Sequence, residues 1–181
     1  SGEELAGDLL RDADAAMHRA KKEGRARVAM FAEDMRAQAL ARLDTELDLR
    51  RALTSGELRL HYQPVVDLES GTVVGAEALL RWQHPTRGLV LPGDVIPIAE
   101  ETGLVVPLGA WVLAEACRQL VAWQVSRPGF TMAINLSGVE LDRPDFASSV
   151  AQILASTNVD PSTVSLEITE TVLMKDAPES L

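Results

Sequence analysis

Two charged residues sit inside a stretch that otherwise reads as a buried strand: Glu77 and Arg81 in "GAEALLRWQHP". On a period-two strand Glu77, Leu79 and Arg81 share one face, and Ala76, Ala78 and Leu80 share the other. A charge taken out of water costs several kcal/mol unless it is paired or binds something. Two explanations are open at this point: an ion pair between the two, or a site that uses each of them. The later strands carry the same signature. In "FTMAINLS" Asn135 lies on the face opposite Met132, Ile134 and Leu136, and in "VSLEITE" Glu167 opposes Val164, Leu166 and Ile168. In "LRLHYQPVVDL" Gln63 shares a face with His61 and Val65. Glu77, Asn135 and Glu167 are oxygen donors with no histidine or cysteine among them, a set that suits a hard cation such as Mg²⁺, Mn²⁺ or Ca²⁺. Arg81 adds a guanidinium able to grip a phosphate. Carboxylates, a hard cation and an arginine are the parts that phosphoryl or phosphodiester chemistry needs.

Bringing these residues together requires strands of common direction. "LRLHYQPVVDL", the turn "ESG" and "TVVGAEALLRW" predict a β-hairpin. "QHPTRGLVLPGD" reads as a loop, and helices are expected over about 95–101 and 108–124. A strand, a helix over "PDFASSVAQILAST" and a last strand complete the pattern. That alternation predicts parallel strands joined by crossover helices. Strands buried on both faces would read as unbroken apolar runs; these alternate. The expected fold is therefore α/β, a partial TIM-like (β/α) barrel with an opening hairpin. Helices cover one face, and the polar groups converge where the parallel strands end.

Upstream, helical spacing covers about 5–22, "RVAMF" reads as a short strand, and a helix spans about 32–53 with Leu40, Leu43, Leu47 and Leu53 as its stripe. The segment 32–56 is expected to be a connector between an upstream remnant, 1–31, and the barrel segment, 57–181. The chain has 181 residues, 17 basic and 27 acidic, for a formal charge of −10. That balance argues against nucleic-acid binding through a broad basic surface. The longest apolar stretch, "GLVVPLGAWVLAEAC", is broken by Pro107 and Glu115, so no membrane span is expected. The single cysteine, Cys117, can form no internal disulfide and points to a reducing, cytoplasmic setting. His61 and His84 are expected to be structural, as are Trp111, Leu120 and Trp123 on the long helix; Glu100 and Glu101 are expected to be exposed at least in part.

From about Leu43 onward the sequence resembles the EAL family of cyclic-di-GMP phosphodiesterases, named for the motif present here as Glu77, Ala78 and Leu79. "LRLHYQPVVDLESGTVVGAEALLRWQHP", "LPGDVIPIAEETGLVVPLGAWVL", "AINLSG" and "LEITE" follow in family order. Residues 1–31, with "ADAAMHRAK", resemble the end of a GGDEF (diguanylate cyclase) domain, with His18 where tyrosine is usual. The resemblance implies a tandem GGDEF–EAL signalling protein in which Glu77, Asn135 and Glu167 are metal ligands. Gln63, Leu79 and Arg81 then line the substrate site, and Glu170 matches a motif position of looser role. It further implies Mg²⁺ or Mn²⁺ as cofactor in a two-metal site, cyclic-di-GMP cut to linear pGpG, and a homodimer through the EAL domain. The family's paired aspartates ("DDFG"), a downstream lysine and a further glutamate have no counterpart up to residue 181. No general base is therefore assigned, and this segment alone is expected to be inactive. The competing expectation is a catalytically degenerate EAL domain acting as a cyclic-di-GMP receptor or relay.

Overall fold

Strand alternation builds the structure, a computed structural model that describes residues 33–168, with side chains placed from Leu40 onward. In order, the elements are α1 (Glu33–Ser55), β1 (Leu58–Val66), β2 (Val73–His84), β3 (Gly88–Val90), α2 (Pro92–Thr102) and α3 (Val105–Gln124). They are followed by β4 (Thr131–Leu136), the single turn α4 (Gly138–Leu141), α5 (Phe146–Thr157), a 3₁₀ turn (Pro161–Thr163) and β5 (Val164–Ile168). The expected helix at 5–22 and strand at 27–31 lie outside the described residues. The chain divides into two compact units at Thr45 and Glu46, within α1, and the sheet and the site lie in the second.

The sheet runs β1–β2–β4–β5, with β3 also paired to β2. β1 and β2 form the antiparallel hairpin, and β2, β4 and β5 are parallel. This is the partial (β/α) barrel expected from the alternation of elements. Gly75 allows β2 and β4 to approach: a Cβ there would overlap Thr131 Oγ1 and lie 2.9 Å from the Thr131 carbonyl oxygen.

One face of the sheet is the core. Ala76, Ala78, Leu80 and Trp82 of β2 pack with Met132 and Ile134 of β4 against the buried stripe of α3, which includes Val105, Leu108, Val112, Ala116, Cys117 and Leu120. By length and composition α3 could cross a membrane, but here that stripe lies in the core. Trp123, half-buried, meets Tyr62 of β1 and Phe130 edge-on, with ring centroids 4.8 and 5.5 Å apart. Burial there pushes the Tyr62 phenol up to about 12.

Three local expectations are corrected. The stripe of the connector helix is only partly the predicted one: Leu53 packs against the core, but Leu40, Leu43 and Leu47 are exposed, and Leu49 and Ala52 are buried instead. The loop after β2 contains the short strand β3, whose Gly88, Leu89 and Val90 pair with His84, Gln83 and Trp82. Accordingly, His84 closes β2 as a buried residue, not as part of a loop. Finally, α2 begins three residues earlier than predicted, at Pro92, where a missing N–H costs nothing and the fixed φ suits a first helical turn.

Candidate active site

The opposite face of the sheet gathers the polar residues. Gln63 of β1 is the cross-strand partner of Glu77 of β2. Glu77 pairs with Ala133 of β4, which puts Asn135 one side-chain step further along the same face. Asn135 in turn is the partner of Glu167 of β5. Four strands therefore each contribute one side chain to a continuous band, Gln63–Glu77–Asn135–Glu167. Leu79 and Arg81 extend it toward the end of β2.

Within the band one contact is direct. The Asn135 side-chain amide donates from Nδ2 to Glu77 Oε1 at 2.7 Å. This bond uses one of the two amide hydrogens and leaves Asn135 Oδ1 as an acceptor. A hard cation takes such oxygens in preference to nitrogen or sulfur. Glu77, Asn135 and Glu167 are oxygen donors of the kind a hard cation takes; the described residues contain no group of three or more His, Cys, Asp or Glu placed to hold a metal.

Arg81 does not pair with Glu77. Four residues along a strand separate the two by about 13 Å, and Arg81 Nη1 donates instead to the neighbouring Leu80 carbonyl at 2.7 Å. Of the two readings open from sequence, the internal ion pair is excluded. Arg81 keeps further N–H donors for an anion.

Of the two histidines expected to be structural, only His84 is buried. His61 is exposed on β1, on the same face as Gln63. The His84 ring is buried; its Nδ1 accepts the backbone N–H groups of Thr86 and Arg87, each at 3.2 Å, which places its proton on Nε2, 2.9 Å from Asp48 Oδ2 on α1. That hydrogen bond is the first cause holding the Asp48 carboxyl below its ordinary range. Nearby, Trp82 Nε1 donates to Glu57 at 3.0 Å. These contacts fasten α1 and the link that follows it to the strand that carries Glu77 and Arg81.

Sequence reasoning passed over one cluster. Glu140 is buried, and half-buried Glu100 accepts a 2.6 Å hydrogen bond from the Ser137 hydroxyl. The signal was present: Ser137-Gly-Val-Glu140 is a capping-box pattern directly after a strand, and both capping-box hydrogen bonds form.

With this geometry in hand, comparison with known proteins is decisive. The sequence profile of the EAL domain matches residues 46–180. The chain belongs to the EAL domain family. It is 43% identical over 175 residues to the "Bifunctional diguanylate cyclase/cyclic di-GMP phosphodiesterase MucR" of Pseudomonas aeruginosa, covering 96% of this chain and 26% of MucR. It is 36% identical over 168 residues to the "Cyclic di-GMP phosphodiesterase PdeR" of Escherichia coli, covering 93% of this chain and 25% of PdeR. Among solved structures it resembles "PaMucR Phosphodiesterase, c-di-GMP complex" with a TM-score of 0.70 and 43% identity, over 74% of this chain and 54% of that one. It also resembles the cAMP- and cyclic-di-GMP-bound EAL enzyme Bd1971, with a TM-score of 0.72 and 29% identity, over 95% of this chain and 46% of that one. The EAL chain thus spans about a quarter of the curated relatives and about half of the solved EAL structures.

Proposed function

We propose that this chain is part of an EAL domain that hydrolyses cyclic-di-GMP to linear pGpG. The observation that carries the reading is the Asn135–Glu77 hydrogen bond, 2.7 Å long, at the centre of a band that also holds Gln63, Arg81 and Glu167. Glu77, Asn135 and Glu167 are the residues that would hold Mg²⁺ or Mn²⁺. When bound, such a cation activates water and neutralises charge on a phosphoryl centre. Arg81 binds a phosphate oxygen of the substrate by charge-assisted hydrogen bonds. Gln63 offers a side-chain amide to the polar edge of a base or ribose, and Leu79, between Glu77 and Arg81, gives the substrate an apolar seat. The family relationship supports the substrate: MucR and PdeR are named as cyclic-di-GMP phosphodiesterases.

The surrounding assignments belong to the same reading. Residues 1–31 are the end of a GGDEF domain, 32–56 a connector and 57–181 the first half of the EAL barrel, within a cytoplasmic homodimeric signalling protein. No general base is assigned among Gln63, Glu77, Asn135 and Glu167, all of which are committed to binding. The chain alone is accordingly inactive.

A second reading is a cyclic-di-GMP receptor without turnover. The two separate in one experiment. Full-length protein is incubated with cyclic-di-GMP and Mn²⁺, and the products are resolved by chromatography. The phosphodiesterase reading expects pGpG; stoichiometric binding of intact cyclic-di-GMP establishes the receptor instead.

A further inference from the structure

Immediately beyond the site, β4 ends in a knot of polar contacts. Burying a carboxylate is costly without compensation, yet Glu140 is only 8% exposed. Its Oε2 accepts the Ser137 backbone N–H at 3.2 Å. The Ser137 hydroxyl donates to Glu100 Oε1 at 2.6 Å and accepts the Val139 N–H at 3.2 Å. Ser137 is therefore held at its nitrogen by α4 and at its hydroxyl by both α2 and α4. Glu140 in turn sits where α3 carries no side chain, at Gly109, where a Cβ would overlap Glu140 Oε1. Burial pushes the Glu140 carboxyl up, against the opposing pull of the Ser137 N–H and Arg143.

This knot adjoins the site. Asn135 stands two residues before Ser137, and Asn135, Ser137, Glu100, Glu140 and Gly109 line one cleft of about 260 Å³. Asn135 itself is exposed and has a single side-chain anchor, its bond to Glu77. The Asn135 backbone is paired with Glu167 of β5, and β4 ends one residue later, at Leu136. The contacts at Ser137 fix, from two helices, how the chain leaves that strand end.

We infer that Glu100, Ser137 and Glu140 form a clasp that positions Asn135 beside Glu77, with Gly109 as the space that admits it. The inference rests on the reading of Asn135 as a cation ligand. None of the three touches the cation or substrate; they act through the exit of β4.

Because the clasp depends on shape and hydrogen bonding rather than on charge, the conservative and truncating variants should part company. Glu140→Gln keeps an oxygen to accept the Ser137 N–H, and Glu140→Ala does not. Gly109→Ala is informative because helix propensity alone would favour it. Direct Mn²⁺ binding to full-length protein, read from the paramagnetic resonance of free Mn²⁺, separates the cases, with thermal midpoints recorded alongside. Glu140→Ala, Gly109→Ala and the less buried Glu100→Ala are expected to weaken Mn²⁺ binding about 10- to 100-fold, the range for lost supporting contacts around a metal site. Glu140→Gln is expected to bind like wild type. The clasp is overturned if folded Glu100→Ala and Gly109→Ala bind Mn²⁺ as wild type does, if Glu140→Gln binds as weakly as Glu140→Ala, or if wild type binds no Mn²⁺. Intact Mn²⁺ binding without hydrolysis overturns the phosphodiesterase reading and leaves the clasp standing.

Discussion

Asn135 and Glu77, on neighbouring parallel strands and 58 positions apart in the chain, are joined by a hydrogen bond of 2.7 Å from amide to carboxylate. The bond orients both residues before any ligand arrives. It gives the carboxylate one fixed partner and leaves the amide oxygen as an acceptor. Pre-orientation of this kind removes the ordering cost from ligand binding.

The first prediction concerns that pair. Asn135→Asp replaces a donor with a second carboxylate against Glu77, so the two acids repel in the absence of metal. The variant should melt at lower temperature than wild type without metal and regain more stability on Mn²⁺ addition, as expected for a ligand bound only by the folded state. Differential scanning calorimetry with and without Mn²⁺ checks this; equal Mn²⁺-induced shifts in the two proteins would count against it.

Arg81 gives a second. Lysine retains the charge but not the two-pronged geometry of a guanidinium. In full-length protein Arg81→Lys should raise the KM for cyclic-di-GMP about tenfold, a loss of about 1.4 kcal/mol, with a smaller change in kcat. A change in kcat alone would show that Arg81 acts on the reacting phosphate and not in uniform binding.

The third concerns pH. The hydrogen bond with His84 holds the Asp48 carboxyl below its ordinary value. A depressed folded-state pKa contributes stability that is fully present above the unfolded value, about 3.9, and is lost as pH falls through the folded one. The Asp48→Asn variant should therefore be less resistant to urea than wild type at pH 7, and the gap between the two midpoints should shrink as pH falls below the unfolded value and through the folded one. A gap independent of pH would mean that the contact is not electrostatic.

Gly75→Ala is the fourth. The added methyl group overlaps Thr131 Oγ1 and meets the Thr131 carbonyl at 2.9 Å. Because one of these neighbours is backbone, β2 and β4 must separate, at a cost of about 1–3 kcal/mol. Urea unfolding measures it, and the displaced register should weaken Mn²⁺ binding as well, since Glu77 and Asn135 sit on the two strands that move apart.

Much of this fold was legible because β2, β4 and β5 alternate strictly. The polar residue in "MAINL" and in "SLEIT" could only face away from the core that Met132, Ile134 and Leu166 build. That placed Glu77, Asn135 and Glu167 on one face before any coordinates. Whether Glu77 and Arg81 paired was not legible, since it depends on which carbonyl the guanidinium finds. Nor could the connector helix reveal its buried face: Leu40, Leu43 and Leu47 have the better spacing, but Leu49 and Ala52 meet the core. The strand β3 was hidden because three residues carry no period. Glu140 was missed for a different reason: its capping pattern was visible, but its burial against Gly109 of another helix, 31 positions earlier in the chain, was not.

The most direct test of the account is cyclic-di-GMP turnover in Mn²⁺ by full-length protein, wild type against Glu77→Ala. The account predicts steady release of pGpG by wild type and a rate at least about a hundredfold lower for the variant, the scale for loss of a group that holds the reacting centre. Turnover by Glu77→Ala at the wild-type rate, with the same dependence on Mn²⁺, would contradict it.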